Sequence, residues 1–144
     1  MIDVGEKPVT RRSATAVGEV HLAAATLDRL SRGDTPKGDV LAVARIAGIQ
    51  AAKRTPELIP LCHGIALSSV EVTIVPDPNA GCLRVEATAR AQDRTGVEME
   101  ALTAVTVAAL TLYDMLKGVD KTMHLEGIRL VEKTGGKSDL LRAP

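Results

Sequence analysis

Hydrophobic and polar positions alternate with two different periods along this chain, and each change of period marks an element. Residues 13–22 (SATAVGEVHL) alternate with period two and predict a strand with Ala14, Ala16 and Val20 on one face. A short helix follows over residues 23–30 and is ended by Ser31-Arg32-Gly33. Asp39 is the expected N-cap of a second helix reaching Arg54. Thr55-Pro56-Glu57 then restarts the chain, with Thr55 as cap and Pro56 at the first helical position, and Pro60 stops it.

Residues 67–75 (LSSVEVTIV) predict a second strand with Val70, Val72 and Ile74 on one face. A turn over residues 76–81 leads into a third strand over residues 82–91. There Leu83, Val85, Ala87 and Ala89 point inward, while Arg84, Glu86, Thr88 and Arg90 point outward. Thr95-Gly96-Val97-Glu98 has capping-box spacing, with Thr95 as N-cap of a helix running to about Lys117. A last strand over residues 128–133 precedes a Gly-Gly-Lys tail. No repeat or linker interrupts the chain, so residues 1–144 read as one domain. The element order predicts an α+β fold: an antiparallel sheet with helices packed on one face, in the ferredoxin-like manner.

Composition adds one unusual feature. The 144 residues include one Tyr, no Phe and no Trp, so the core must be built from Val, Leu, Ile and Ala packed closely. A core of that size favours homo-oligomerisation as a supplement. Lys+Arg and Asp+Glu both total 18, and the zero net charge argues against a general nucleic-acid binder. An RNA-binding sheet also needs stacking aromatics on its strands, and the sole aromatic, Tyr113, falls on a predicted helix. The apolar run over residues 101–112 carries three threonines and reads as a buried helix, not a membrane span. The polar start MIDVGEKPVTRR does not resemble a signal peptide, which makes a cytoplasmic location the expectation. Cys62 and Cys82 have neither disulfide-framework nor metal spacing. His21, on a strand, and His124, expected in a loop, show no ligand spacing either, so no structural metal is expected.

Several positions could carry chemistry. Lys37 precedes a helix N-terminus, where anions are favoured, although taken alone an exposed capped loop with an incidental lysine is the better reading. Lys53 ends that helix, a comfortable place for any cation. In Leu61-Cys62-His63, neighbouring side chains on extended backbone should point opposite ways, which disfavours a thiol–imidazole pair and leaves Cys62 a buried thiol. His63 is the more open candidate for proton transfer. On the long helix, Glu98, Glu100, Asp114 and Lys117 bracket a nearly uncharged interior. Asp114 and Lys117 suit either a surface pair or a carboxylate and amine tuned for proton transfer, and spacing alone does not separate these. Glu100 and Asp114 lie about 40° apart around that helix but about 21 Å apart along it.

The strings MIDVGEKPVTRRSATA, KGDVLAVARIAGIQAAKRTPELIPLCH, TGVEMEALTAVTVAALTLYDMLK and EKTGGKS resemble, in order and spacing, the signature blocks of the MoaC family. The resemblance spans nearly the whole chain. It implies a lyase that turns (8S)-3′,8-cyclo-7,8-dihydroguanosine 5′-triphosphate into cyclic pyranopterin monophosphate, releasing pyrophosphate, in molybdenum cofactor biosynthesis. It also implies a ferredoxin-like fold and a hexamer built from dimers with active sites shared between subunits. Asp114 matches the family's catalytic acid/base, with Lys117 as its companion. Leu61, Cys62, His63, Met99 and Glu100 match substrate-contacting strings, and Lys37, Lys53, Glu98 and Lys133 match further site positions. The lysines would serve the triphosphate. No cofactor is implied, and no spacing demands magnesium beyond what a triphosphate brings with it. Two departures stand out: Gly64-Ile65 where the family has Pro-Leu after LIPLCH, and Asp139 where the last block usually has Gly.

Overall fold

The computed structural model describes residues 1–141, folded as β1 (Thr10–His21), α1 (Ala24–Ser31), α2 (Val40–Lys53), α3 (Thr55–Leu58), β2 (Leu67–Asp77), β3 (Cys82–Asp93), α4 (Glu98–Leu116), β4 (His124–Thr134) and β5 (Leu140–Leu141). The strands form one sheet in the order β2-β3-β1-β4-β5, with every neighbouring pair antiparallel. Helices α2 and α4 pack against each other, α2 over β2 and α4 over β1, β3 and β4. This is the α+β architecture expected from the alternation of periods.

The alternating positions divide between the two faces as expected. Ala14, Ala16, Val20, Leu83, Val85, Ala87 and Ala89 are all buried beneath the helices. Arg84, Glu86 and Arg90 lie exposed, and on that same open face the Thr15 and Thr88 hydroxyls meet at 2.9 Å. Helix α4 is long and apolar enough to cross a membrane by length and composition. However, its Ala101, Ala104, Val105, Ala108, Ala109, Leu112 and Leu116 are buried in this core.

Three local expectations are corrected. Thr95 is not the N-cap of α4: the helix starts at Glu98 after Val97, with no side-chain cap. The Glu98 carboxylate that a capping box needs is drawn to Lys133 Nζ at 2.8 Å instead. Thr55 is not a cap either, because Arg54 occupies that position. Its buried hydroxyl donates backward to the Ala52 carbonyl at 3.0 Å, closing the end of α2. The last strand begins at His124 rather than Ile128, and the tail supplies β5, whose Leu140 and Leu141 pair with Lys133 and Glu132.

Asp39 does cap α2, its Oδ1 accepting from the Ala42 N–H at 3.0 Å. The cap of α1 comes from far away. Ala23 has no hydrogen-bonding group on its side chain, and its N–H donates to Asp120 Oδ2 at 2.8 Å. Asp120 also accepts from the Thr26 hydroxyl and from both the N–H and the hydroxyl of Thr122. Burial pushes this carboxyl up, but four donors led by the Ala23 N–H outweigh it and hold it at about 2.

Candidate active site

The predicted site residues fall into two groups at opposite ends of α4. At the C-terminal end, Asp114 Oδ1 meets Lys117 Nζ at 2.7 Å, and its Oδ2 meets Lys37 Nζ at 2.8 Å. Lys37 also donates to the Asp114 carbonyl at 3.0 Å, so its ammonium closes the helix end as well as pairing the side chain. Helices α2 and α4 run antiparallel with Gly48 close to Ala104, which brings the start of α2 to the end of α4. Hydrogen bonds from Lys117 and Lys37 hold the Asp114 carboxyl down at about 2, and Asp114 in turn raises Lys117. All three groups are solvent-accessible, so the cluster is charged and open.

At the N-terminal end, two adjoining cavities share Lys7, Thr95, Gly96 and Glu98. One, of about 480 Å³, is cationic and includes Arg12, Arg94, Lys133 and Lys137 in its lining. Gly135 and Gly136 fold over it with φ of +90° and +91°, close against the Arg11 carbonyl and the Arg12 guanidinium, where side chains would not fit. Asp139, the departure in the last block, accepts from the Gly135 N–H at 2.9 Å and thereby fastens this loop. The other cavity, of about 390 Å³, is lined by Leu61, Cys62, His63, Met99 and Glu100, among others.

Glu100 is 2 % exposed, and its Oε2 is buried without a hydrogen-bond partner. Burial pushes its carboxyl up, with Glu98 and Asp93 adding to the effect against a backbone hydrogen bond that opposes it. Glu98 behaves oppositely. Burial raises it, but Lys133, its own backbone N–H and Arg12 bring it below the usual carboxylate range. Two carboxyls two residues apart are therefore shifted in opposite directions, an arrangement suited to proton transfer and recognition.

Cys62 and His63 both line this cavity, on a stretch of irregular chain just after the Pro60-Leu61 turn. Partial burial and the neighbouring Glu100 raise the Cys62 thiol, which agrees with reading it as a poor nucleophile. Lys53 is exposed at the end of α2, and the antiparallel run carries it toward the Glu98 end of α4. Lys7, Arg12 and Arg94 line the cationic cavity but were not among the sequence candidates. Their one signal was the Arg-Arg pair in the first block.

The structure therefore gathers Lys133, Glu98, Met99, Glu100, Leu61, Cys62 and His63 at one end, and Asp114, Lys117 and Lys37 at the other. At about 1.5 Å per residue these ends stand about 21 Å apart, measured from Glu100 to Asp114.

Comparison with known proteins covers nearly the whole chain. It is 61% identical over 138 residues to a cyclic pyranopterin monophosphate synthase of Chloroflexus aggregans, covering 96% of this chain and 84% of that protein. The proteins of that name from Roseiflexus castenholzii and from a Nostoc species are 58% and 56% identical, each over 96% of this chain and over 87% and 82% of their own lengths. Residues 1–136 match the MoaC family, and the chain belongs to it.

Proposed function

We propose that this chain is a lyase that converts (8S)-3′,8-cyclo-7,8-dihydroguanosine 5′-triphosphate into cyclic pyranopterin monophosphate and pyrophosphate, in molybdenum cofactor biosynthesis. The observation that carries the proposal is the pair of charged clusters on α4, at positions matching the family's site, in a chain about 60% identical to proteins named for this activity.

Closing the cyclic phosphate joins a sugar oxygen to the innermost phosphorus and expels the outer two phosphates as pyrophosphate. Cations must neutralise charge on both the attacked and the leaving groups. Lys133, Arg12, Arg94 and Lys7 surround a cavity with that character, and Lys37 and Lys53 add charge at the ends of α2. Glu100, with its buried unpaired oxygen, suits the N–H-rich edge of a guanine-derived ring. Ring opening and rebuilding require proton transfers, for which Asp114, Lys117 and His63 are the candidates. With its carboxyl held near 2, Asp114 enters the cycle as an acceptor or as the anchor of Lys117, and the Lys117 ammonium is the donor. We assign no resident cofactor to this centre; magnesium would arrive with the triphosphate.

The two ends of α4 form one reacting centre if two chains pair about a two-fold axis, so that one chain's Glu100 end meets the other's Asp114 end. Val43 and Ile46 on α2 and Leu110 on α4 are exposed, an apolar strip between the two clusters that a second copy would cover. We extend this to a hexamer built from three such dimers in the cytoplasm, with a small-molecule substrate and neither a nucleic-acid nor a membrane partner. The strand order β2-β3-β1-β4, with α4 connecting β3 to β4, supports classing each subunit as ferredoxin-like.

Incubation with the cyclic dihydro-GTP intermediate should yield cyclic pyranopterin monophosphate and pyrophosphate together. Binding without either product would instead make the chain a silent ligand-binding domain. For the shared site, inactive Asp114→Ala chains mixed with inactive His63→Ala chains should regain partial activity once subunits exchange. Background activity after exchange verified by mass would place the whole site within one chain.

A further inference from the structure

On the open face of the sheet, away from both charged ends of α4, the register sets His21 opposite His124 and Glu19 opposite Glu126. The two dipeptide-spaced pairs, Glu-Val-His and His-Leu-Glu, thus form a square of two imidazoles and two carboxylates across β1 and β4. The rings stack with centroids 4.9 Å apart and planes 8° from parallel. His21 Nε2 lies 3.0 Å from Glu19 Oε2 and 3.6 Å from Glu126 Oε2, and His124 Nε2 lies 3.5 Å from the same Glu126 oxygen.

We propose that this square is a binding site for a divalent transition-metal ion, with His21, His124 and Glu126 as ligands and Glu19 completing the set. The ligand atoms of His21, His124 and Glu126 already lie within 4.8 Å of one another. A tetrahedral ion with ligand bonds near 2.0–2.1 Å needs separations of about 3.3 Å, so small side-chain rotations close the site on a fixed strand backbone. His124 and Glu126 are more than half exposed, which leaves them free to make those rotations.

The electrostatics point the same way. Two carboxylates directly opposite each other on neighbouring strands repel. Among the described residues, neither Glu19 nor Glu126 forms an ion pair with a lysine or arginine. Arg84, across from Glu19 on β3, is turned to Asp77 at 2.9 Å, and Arg129 is turned to the Gly127 carbonyl. A dication would neutralise the pair and tie β1 to β4. Imidazole with carboxylate selects ions of the zinc, nickel or copper type over magnesium, which prefers an all-oxygen octahedron.

Cys82 borders His21 from β3, and with Glu19 it makes a second possible ligand group. It is wholly buried, whereas His124 and Glu126 are open to an arriving ion, so the solvent-side group is the one assigned. The sequence showed none of this, because spacing along one strand does not report which strand lies beside it.

The test uses the untagged full chain, stripped with a chelator and titrated with Zn²⁺ by calorimetry and by thermal unfolding. One ion per chain should bind and raise Tm, with magnesium failing to compete. His124→Ala and Glu126→Gln should each weaken binding by about tenfold or more and shrink the Tm rise accordingly, since a tenfold loss is about 1.4 kcal/mol. Both side chains are exposed, so the variants should fold. Cys82→Ala and His63→Ala should retain the ion. The proposal is overturned if the wild type binds no more tightly than His124→Ala, or if binding is lost at Cys82 or His63 instead.

Discussion

Asp120 offers the sharpest test of the structural reasoning, because it is buried, lies outside both charged clusters and holds two distant segments together. Its carboxylate accepts from Ala23 N–H, Thr26 Oγ1, Thr122 N–H and Thr122 Oγ1 at 2.7 to 3.1 Å. Asp120→Asn keeps the shape but replaces one acceptor oxygen with a donor, so at least one of those donors faces another donor. The charge contribution follows from the folded value of about 2 against an ordinary 3.8, a difference of 1.8 units. At about 1.4 kcal/mol per unit this gives about 2 kcal/mol near neutrality. The four hydrogen bonds are themselves what depresses the value, so this figure already contains their loss. Because the folded value is depressed, the stabilisation is fully present above about pH 4 and is lost as pH falls toward 2. Urea denaturation of both proteins from neutral pH downward measures the difference directly, since other groups cancel between them. The gap should be large at neutrality and shrink by about 2 kcal/mol across that acid window. Equal stability at neutrality, or a gap that does not change with acidification, would refute the account of Asp120 as a charged cap.

Asp114→Asn should keep the fold, since the side chain is more than half exposed, but lose turnover by about a hundredfold or more in a pyrophosphate-release assay; near-normal turnover would remove Asp114 from the reacting centre. Gly48→Ala should destabilise the chain by about 1 kcal/mol in urea, because the new methyl meets the Ala104 carbonyl at 2.9 Å and this overpacking exceeds the gain in helix propensity. An equally or more stable variant would mean that α2 and α4 are not in forced contact.

What was legible in the sequence depended on how local the physics was. The β2–β3 hairpin could be read because Val72, Ile74, Leu83 and Val85 alternate with polar residues on both sides of a Pro- and Gly-marked turn. Helix α2 could be read because its Asp39 cap bonds only three residues away. The start of β4 was hidden: its register against β1 shifts twice, and Gly127 takes a φ of +64°, which breaks the period of two. The Thr95 capping box failed because Lys133, 35 residues away, draws the Glu98 carboxylate, a competitor that no local pattern reveals. In the candidate site the residue types were readable, but their grouping was not. Lys37 reaches Asp114 across 77 residues, and Cys62 and His63 share a cavity with Met99 and Glu100 of a different element.

The missing aromatic side chains connect these levels. With no Phe or Trp, the α2–α4 contact is made of Gly48, Ala104 and Ala108, so the axes can approach at the near end of the usual range of about 8–10 Å. That closeness brings the ammonium of Lys37, before α2, onto both the carbonyl and the carboxylate of Asp114, at the end of α4. A bulkier contact would separate the helices and leave Lys37 to reach one acceptor or neither. Asp114 would then lose one of the two hydrogen bonds that hold its carboxyl near 2. The small-residue core thus sets how many ammonium groups hold the Asp114 carboxylate, and it does so through the spacing of two helices.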